Sequence, residues 1–365
     1  MTKFHSAAAM AAIAVALLSV PAQAQDQAKD QKQGNTEQPA ESVVTAQKTG
    51  AQALQSVPLA IQAFSGVELR EQNINSVADL VSSVPGAYEG QRQSVASRSY
   101  NLRGAGGSNA NGDSPIGYYL DDVPFVVTNF GIAPPVRFLD VKQVEVLRGP
   151  QGTLYGQGSS GGVFIFHTRD PDLQDVQFAG ELEGSRTRGA TALNYGVAGA
   201  ISVPIVGDKI AIRVSGGHSY NPGWADEYYG AYDGTPDEKG VNVVRNDDIR
   251  VVALLKPAEN VSVRAQYWHF RPRQSFLGGM ASVDPPYYAN TAAQPSYGNG
   301  DFTLYSLSVT ADFDSFSITS ATGDLKGNFG IYVPISPAGF FSSQFYPKMF
   351  SEELRINSTG SSPLH

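Results

Sequence analysis

The amino-acid sequence predicts a compact α+β domain followed by the first strands, about eight, of a transmembrane antiparallel β-barrel. In residues 121–168, runs of β-branched and aromatic residues alternate with glycine-rich turns, which favours short strands and leaves no room for a helix. Upstream, two serine-initiated segments predict short helices. From residue 173 onwards, apolar and polar side chains alternate with a period of two over segments of about ten residues, as in membrane-spanning strands.

Composition excludes several classes of protein. The 365 residues carry 26 basic and 34 acidic side chains, a net charge of -8, so a nucleic-acid partner is not expected. Cysteine is absent, which excludes disulfides, thiolate metal sites, cysteine nucleophiles and an N-terminal lipid anchor. No stretch approaches the length of about 18 apolar residues that a membrane-spanning helix needs.

The N-terminus has the organisation of a secretory signal peptide. Lys3 precedes an apolar run from Ala7 to Val20, which is too short to cross about 30 Å of hydrocarbon as a helix. Ala22-Gln23-Ala24 then forms a small-residue exit, so residues 1–24 are predicted to be removed by cleavage between Ala24 and Gln25.

Residues 25–48 are predicted to form a disordered arm, because most of them are polar and too few apolar groups are present to stabilise a fold. Its end holds a short strand-forming segment, made of Glu41, Ser42, Val43, Val44, Thr45 and Ala46. Such a segment can add as an extra strand to the sheet edge of a partner. The alternative is an ordinary strand of the domain that follows.

The next elements build the α+β domain. Residues 59–64 read as a strand, and Ser65-Gly66-Val67-Glu68 forms a capping box that begins a first short helix. A second helix is predicted to begin at Ser76, with Leu80, Val81 and Val84 on one face. The chain then reaches two glycine-containing turns and the strand-rich stretch at residues 121–168.

That strand-rich stretch resembles a known family. Val144 to Gly156 reads VEVLRGPQGTLYG and is followed by Gly-Gly-Val at 161–163, a run that resembles the end of the plug domain in TonB-dependent outer-membrane receptors. Leu102-Arg103-Gly104 resembles a second hallmark of that domain. Residues 117–124 resemble a third, except that Asp122 stands where a glycine is usual. The hallmark residues are Leu102, Arg103, Gly104, Arg148, Gly149, Pro150, Gln151 and Gly152.

The resemblance implies an organisation and a function. Residues 49–172 would be the plug, residues 173–365 the N-terminal part of the barrel, and the segment at 41–46 the TonB box. It also implies a location in the outer membrane of a Gram-negative bacterium, surrounded by outer-membrane lipid. The function would be active uptake of a scarce nutrient, most often a ferric siderophore in this family, with the periplasmic domain of TonB as partner. No cofactor and no catalytic residue would be needed.

The family also suggests where function is located. The external loops, together with residues 91–98 and 129–135 of the plug, are expected to bind the ligand. Because an arginine inside a barrel needs a carboxylate partner, Arg103 and Arg148 are expected to pair with acids of the barrel wall. The alternative for each is a solvated arginine on a turn of the plug. The candidate partners are Glu181, Glu183, Glu352 and Glu353.

Beyond residue 172 the alternation predicts strands that start near residues 177, 190, 209, 247, 260, 301, 315 and 350. Short turns are predicted at 206–209, 257–260 and 313–315, and long loops at 221–247, 271–300 and 326–348. Plugged transporters close with about 22 strands, and about eight would leave no space for a plug. The chain is therefore expected to be the front part of a longer receptor, as a fragment or a truncated gene product.

The sequence also contains matches to two enzyme motifs and leaves two alternative functions. The G-x-G-x-x-G match at 156–161 and the G-x-S-x-G match at 158–162 both require a following helix, whereas a strand follows here. A secreted serine hydrolase would use Ser160 as nucleophile with His167 or His218 as base. A receptor that senses or adheres without transport is the other alternative, although such receptors often have a further folded domain before the box.

Overall fold

A computed structural model describes most of the chain beyond residue 42. The described residues are 43–45, 48, 52–53, 60–106, 112–128, 130–156, 158–226, 235, 238–275, 281–283, 287–289, 296–336 and 339–358. The predicted signal peptide and most of the predicted arm lie outside them. In the part of the chain that the structure describes, no helix has the length and apolar character needed to cross a membrane.

Residues 60–172 form the globular domain. Its main sheet has the strand order β3-β9-β10-β7-β8, in which β10 is parallel to β7 and antiparallel to β9. Its strands are β3 (Ile61–Ser65), β7 (Ile116–Leu120), β8 (Val123–Pro124), β9 (Val141–Arg148) and β10 (Gly162–Thr168). A second sheet contains β4 (Ala87–Ser94), β5 (Ser97–Leu102) and β6 (Ala105–Gly106). A separate pair of strands consists of β1 (Val43–Val44), in the predicted arm, and β2 (Gln52–Ala53), which follows the arm.

The two predicted helices are present and capped as the sequence indicates. Helix α1 spans Gly66–Glu71, where the Ser65 amide donates to Glu68 Oε2 at 2.7 Å and the Glu68 amide donates to Ser65 Oγ at 3.2 Å. Helix α2 spans Val77–Ser82 and buries Val77, Leu80 and Val81. Each cap satisfies amides that the first helical turn leaves without a partner.

A third helix corrects the prediction that residues 121–168 leave no room for one. Helix α3, Gly152–Tyr155, is a single turn, in which the Gln151 carbonyl accepts from the amides of Leu154 and Tyr155. Gly149 and Gly156 flank it at φ values of 105° and 68°, which glycine adopts without steric cost. Burial of the Tyr155 side chain then stabilises a turn too short to be stable alone.

Two of the predicted hallmark segments meet at one glycine. Gly162 has φ 148°, and a Cβ atom there would lie 2.3 Å from the carbonyl oxygen of Leu147 and 2.4 Å from Leu102 Cδ2. The Leu102 side chain is fully buried. Glycine is therefore required where β5, β9 and β10 approach each other, and any side chain at 162 would separate them.

The second half of the chain forms one antiparallel sheet, the wall sheet, in which consecutive strands are neighbours. Its strands are β11 (Gln177–Ser185), β12 (Asn194–Val206), β13 (Ile210–Asn221), β14 (Val244–Ala258), β15 (Val261–Ser275), β18 (Tyr297–Asp312), β19 (Phe316–Ser336), β20 (Gly339–Phe345) and β21 (Lys348–Ser358). Between β15 and β18, a separate hairpin consists of β16 (Ala281–Val283) and β17 (Tyr287–Ala289).

The return of the chain along β19 differs from the prediction. Strand β20 pairs with the C-terminal half of β19, and β21 pairs with its N-terminal half. Strands β20 and β21 are therefore one returning strand that is interrupted at Pro347. Proline lacks the N–H that a continuous ladder needs. The stretch 326–348, predicted as a long loop, is therefore largely strand. Its Phe329 and Ile331 side chains are buried on the inner face, which outweighs the weak strand propensity of the nearby glycines.

The two faces of the wall sheet have different surroundings. Alternate residues such as Ala211, Arg213 and Ser215 are buried against the globular domain. The opposite face is exposed and apolar, with Leu182, Val197, Ile201, Ile249, Leu307, Leu354 and Ile356 among its side chains. This alternation matches strands that face lipid on one side and an interior on the other.

The inner face contacts the globular domain through rings at one end. Phe125 lies 5.6 Å from Phe302, and Phe130 lies 4.5 Å from Phe345, measured between ring centroids. Phe329 lies 5.6 Å from Phe130. This apolar contact occupies the half of the wall sheet towards the long connections, whereas Arg213 and Arg264, which contact carboxylates of the domain, lie towards the short turns.

Candidate functional site

The predicted TonB box is held on the main sheet of the globular domain by a clasp, defined here as Thr45, Glu145 and His167. The Thr45 amide donates to Glu145 Oε1 at 2.9 Å, and Thr45 Oγ1 donates to the same oxygen at 3.2 Å. Thr45 Oγ1 also lies 3.2 Å from His167 Nε2. Val44 is almost fully buried, and β1 pairs with β2 beside it. Hydrogen bonds to a charged acceptor are stronger than neutral ones, so the clasp restrains the box.

The electrostatics of the clasp come from one buried ion pair. His167 Nε2 lies 3.2 Å from Glu145 Oε1, and the Glu145 side chain is 1% exposed. Burial acts to raise the pKa of Glu145, but the hydrogen bond and charge of His167 and the bonds from Thr45 outweigh it, so that pKa is lowered. Burial acts to lower the pKa of His167, but Glu145, Asp121 and Asp122 outweigh it and raise that pKa.

Stability is therefore expected to depend on pH through this pair. The contribution of His167 is fully present below its ordinary pKa of 6.5 and is lost as pH rises through the raised value. The contribution of Glu145 is present above its ordinary pKa of 4.5 and is lost as pH falls through the lowered value. We expect the thermal midpoint of the chain to decline as the pH rises above 6.5. In the His167→Gln variant, that alkaline decline should be absent; an equal decline in both proteins would contradict the assignment.

A second contact joins the arm to the wall sheet. Lys48 Nζ lies 2.7 Å from Glu353 Oε2 on β21 and 4.7 Å from the centroid of the Tyr155 ring. Burial, with a smaller effect of Glu353, raises the pKa of Tyr119 to about 12, so this phenol stays a donor and bonds the Tyr155 carbonyl at 3.0 Å. The arm is thus held between the globular domain and the wall sheet.

The same part of β21 reaches a turn of the globular domain. Arg355 Nη2 lies 2.6 Å from Asp122 Oδ1, and Arg355 Nε lies 3.7 Å from Glu353 Oε1. Asp122 is the residue that departs from the family pattern, and here its carboxylate contacts the wall sheet. Lys48, Glu353, Arg355 and Asp122 therefore form a continuous series of charge contacts from the arm to the domain.

Two buried carboxylates anchor the domain to the wall sheet. Asp140 accepts from Arg213 Nε at 2.7 Å and from Arg250 Nη2 at 2.6 Å, and all three side chains are at most 4% exposed. Asp121 Oδ2 lies 3.2 Å from Arg264 Nη2, which also reaches the Thr168 hydroxyl. Burial acts to raise the pKa of Asp121, but Arg264 outweighs it and the pKa is lowered. Asp121 therefore remains charged.

The predicted pairing of Arg103 and Arg148 with wall acids is wrong for the described residues. The closest polar contacts of these arginines are to backbone carbonyls, Arg103 to Arg148 O and Arg148 to Pro85 O, each at 3.5 Å. Arg103 lies on the turn after β5, and Arg148 is the last residue of β9. Two of the predicted acids do contact cations from outside the wall sheet, but these cations are not the predicted arginines. Glu183 contacts Arg137 at 3.4 Å, and Glu353 contacts Lys48.

Both predicted ligand-binding segments line one cavity of about 690 Å³ between the globular domain and the wall sheet. Val95 and Arg98 contribute from the first segment, and Ala133 to Pro135 from the second, where the Ala133 amide donates to the Arg98 carbonyl at 2.9 Å. The lining is polar and includes six asparagines: Asn73, Asn75, Asn194, Asn221, Asn242 and Asn246. Within the described chain, Arg98 Nε and Asn194 Oδ1 are buried there without a hydrogen-bond partner.

The residues of the hydrolase alternative are not assembled into a triad. Ser160 precedes β10 and His167 lies near the other end of that strand, and seven residues of extended chain span roughly 20 Å. His167 is bound to Glu145, and His218 Nδ1 lies 2.6 Å from Asp247 on the wall sheet. No cluster of metal-binding side chains occurs among the described residues.

Some predicted residues lie outside the described part of the chain. They are Ala24 and Gln25 of the predicted cleavage site and Glu41, Ser42 and Ala46 of the box, so those predictions stay untested. Sequence reasoning missed Lys48, Asp140 and the clasp role of Glu145. The sequence does contain a signal for the role of Glu145. A charged residue between apolar neighbours of a strand, as in Val144-Glu145-Val146, needs a polar partner once it is buried.

Comparison with known proteins gives a family for the globular domain. The profile of the family described as TonB-dependent Receptor Plug Domain matches residues 53–163. The pesticin receptor of Yersinia pestis is 27% identical over 183 residues, which cover 49% of this chain and 26% of that receptor. The iron-regulated outer membrane virulence protein of Vibrio cholerae is 27% identical over 194 residues, which cover 48% of this chain and 27% of that protein.

Solved structures share the fold over more of the chain. The ferric yersiniabactin uptake receptor FyuA from Yersinia pestis aligns with a TM-score of 0.70 at 19% identity, covering 83% of this chain and 46% of that one. The siderophore receptor PiuA from Acinetobacter baumannii aligns with a TM-score of 0.66 at 13% identity, covering 86% and 44%. The chain thus spans less than half of these structures and about a quarter of the two curated relatives.

Proposed function

Because this chain belongs to the TonB-dependent receptors of the Gram-negative outer membrane, we propose that it takes part in active uptake of a ferric siderophore. The ligand would bind in the polar cavity, and the periplasmic domain of TonB would bind the box at residues 41–46. No bond of the ligand is made or broken, so the proposal includes no catalytic residue. The siderophore class is supported by the similarity to FyuA, a ferric yersiniabactin uptake receptor, and to PiuA, a siderophore receptor.

The observation that carries the proposal is the separation of cavity and box along the wall sheet. Gln274, at the cavity, is in register with Gly298 and through it with Ile331 on β19. Glu353, at the arm, is in register with Ala321 on the same strand. Ten residues of strand correspond to roughly 33 Å. Ligand and energy-coupling partner would therefore bind near opposite ends of one domain, as uptake coupled to a partner across the periplasm requires.

The cavity chemistry fits a ligand rich in hydrogen-bonding groups. Amide side chains offer both donors and acceptors, which suits a chelate that presents carbonyl, hydroxyl and carboxylate oxygens. Arg98 and Arg137 add charge-assisted donors. Tyr195 and Trp224 line the same cavity and offer rings to an apolar part of the ligand.

The proposal is tested by iron uptake in cells that lack their own siderophore receptors. Cells that express the receptor, and matched cells with an empty vector, are supplied with a panel of ⁵⁵Fe-labelled siderophores. Uptake above the vector for one of them, lost when TonB is deleted, supports the proposal. Surface binding without uptake would favour the sensing alternative, and neither binding nor uptake of any iron chelate would overturn the ligand class.

Substitution of Arg98 tests the cavity itself. We expect Arg98→Ala to weaken binding of the transported siderophore roughly tenfold or more, because a charge-assisted hydrogen bond contributes about 1.5–3 kcal/mol. The measurement is titration of ligand against purified receptor in detergent. Arg188→Ala is the matched control, since Arg188 is an exposed arginine on the nearby β11–β12 connection and does not line the cavity. Equal affinity of both variants would place the ligand elsewhere.

A further inference from the structure

One buried arginine of the wall sheet has unused donors next to an unused acceptor. Arg250 of β14 is 2% exposed, and its Nη2 donates to Asp140 Oδ2 of the globular domain at 2.6 Å. In the part of the chain that the structure describes, Arg250 Nε and Nη1 are buried without a hydrogen-bond partner, and so is Asp248 Oδ1. Asp248 and Arg250 are two residues apart on one strand, so their side chains project from the same face, roughly 7 Å apart.

Either carboxylate can serve as the counter-charge of Arg250. Asp140 also accepts from Arg213 Nε at 2.7 Å, so it keeps a buried guanidinium partner when Arg250 turns away. Asp248 Oδ1 would gain a donor by the same movement. The hydrogen bond lost at one buried carboxylate is therefore offset by the bond formed at the other, and the side chain of Arg250 has two defined arrangements.

The charge of Arg137 biases the choice between them. Arg137 and Arg250 are both positive charges that act on Asp248. Arg137 also lines the polar cavity, and it precedes Asp140 by three residues in the same segment of the globular domain. While Arg137 is free to act on Asp248, it offsets part of that negative charge. If Arg137 is neutralised, Asp248 attracts Arg250 more strongly, because a carboxylate inside the protein needs a counter-charge.

We infer that Arg250 exchanges between Asp140 and Asp248, and that the charge of Arg137 sets which carboxylate it bonds. Asp248 is then a positioning residue, which withdraws Arg250 from the globular domain when Arg137 is neutralised. Asp140 keeps the contact to Arg213, so this carboxylate loses one of its two buried links to the wall sheet. An anionic ligand beside Arg137 would start the exchange; that consequence rests on the uptake proposed above, whereas the exchange itself does not.

Thiol labelling of the receptor without ligand tests the exchange. Ser215 is the cross-strand partner of Arg250 on β13 and is 3% exposed against the globular domain. Ser215→Cys supplies a single thiol, since the chain has no cysteine of its own. Adding R137Q should raise its rate of reaction with a maleimide roughly tenfold or more, the effect of losing one charge-assisted hydrogen bond. Adding R137Q and D248N together should return the rate to within about twofold of Ser215→Cys alone, because Arg250 then has no second carboxylate.

The matched control is E183Q. This change removes the 3.4 Å ion pair between Arg137 and Glu183 but keeps the positive charge of Arg137, so labelling should stay at the rate of Ser215→Cys alone. An unchanged rate in R137Q, an equal increase in E183Q, or no rescue by D248N would overturn the inference. Simple damage to the domain would not be reversed by a second substitution. Because no ligand is added, these outcomes are independent of whether the receptor takes up a siderophore.

Trp268 reports the same exchange by its fluorescence. The Arg250 guanidinium lies 5.6 Å from the centroid of the Trp268 ring, and Trp224→Phe leaves this residue as the single tryptophan. R137Q should shift the Trp268 emission and added D248N should restore it; an unshifted emission would count against the exchange. If R137Q fails to fold, D248E is measured instead, since its longer side chain brings the carboxylate to Arg250. The labelling rate and emission should then change as predicted for R137Q, and wild-type values would contradict the inference.

Discussion

Asp140→Asn is expected to destabilise the folded chain by about 3–5 kcal/mol, because it leaves two buried guanidinium groups without their shared counter-charge. Asp140 is 3% exposed, and Arg213 and Arg250 are no more than 4% exposed. Arg250 already has two nitrogens without a hydrogen-bond partner in the described chain. Asparagine keeps the size of the side chain and tolerates the φ value of 56° at this position, so the change reports on charge.

The measurement is the unfolding free energy from denaturant titration in detergent, followed by tryptophan fluorescence. Asp208→Asn is the matched control, since Asp208 also has a positive φ, 59°, but is exposed in the β12–β13 turn and accepts only a 3.3 Å bond from Gln174 among the described residues. We expect the control to differ from the wild type by less than about 0.5 kcal/mol. If both variants lost the same stability, the buried pair would not anchor the domain.

Glu145→Ala is expected to release the predicted TonB box from the globular domain. The substitution removes both hydrogen bonds that Thr45 donates to a buried carboxylate. Bonds of this kind contribute about 1.5–3 kcal/mol, so the ratio of released to docked box should rise roughly 10- to 100-fold. Lys48 and Glu353 still hold the arm beyond the box, which keeps the effect local.

Thiol labelling measures that release, because the chain contains no cysteine of its own. In a Val44→Cys background the single thiol is buried when the box is docked, since Val44 is 1% exposed. Adding Glu145→Ala should accelerate its reaction with a maleimide by the same 10- to 100-fold. Lys142→Ala is the control on the same strand, since Lys142 is exposed there. Equal labelling rates in the two variants would show that the clasp does not restrain the box.

Local rules predicted the elements whose stabilising groups lie close together in the sequence. The capping box of α1 joins Ser65 to Glu68, and the alternation at residues 210–215 directs side chains to opposite faces of β13. The local rules failed at β20, where glycine and proline suggested a loop. There β20 pairs with β19, whose Phe329 and Ile331 pack against the globular domain and not against their own neighbours in sequence.

The partners in the charged contacts were not predicted by local sequence patterns. The sequence indicated that arginines would meet Glu183 and Glu353, but it assigned them Arg103 and Arg148. The structure supplies Arg137 at a separation of 46 residues and Lys48 at a separation of 305. Which cation reaches which acid depends on how the wall sheet wraps the domain, and no local pattern encodes that placement.

The sequence by itself determined the α+β domain, the strand alternation of the wall sheet and the motifs that mark a TonB-dependent receptor. These depend on side-chain period, capping and glycine conformations, which act over a few residues. Only the tertiary structure decided that Glu145 and His167 hold Thr45, that Asp140 lies between two wall arginines, and that the charge of Arg137 acts on Asp248. Burial makes each charge seek a partner, but the partner is selected by the register and packing of strands that are distant in the sequence.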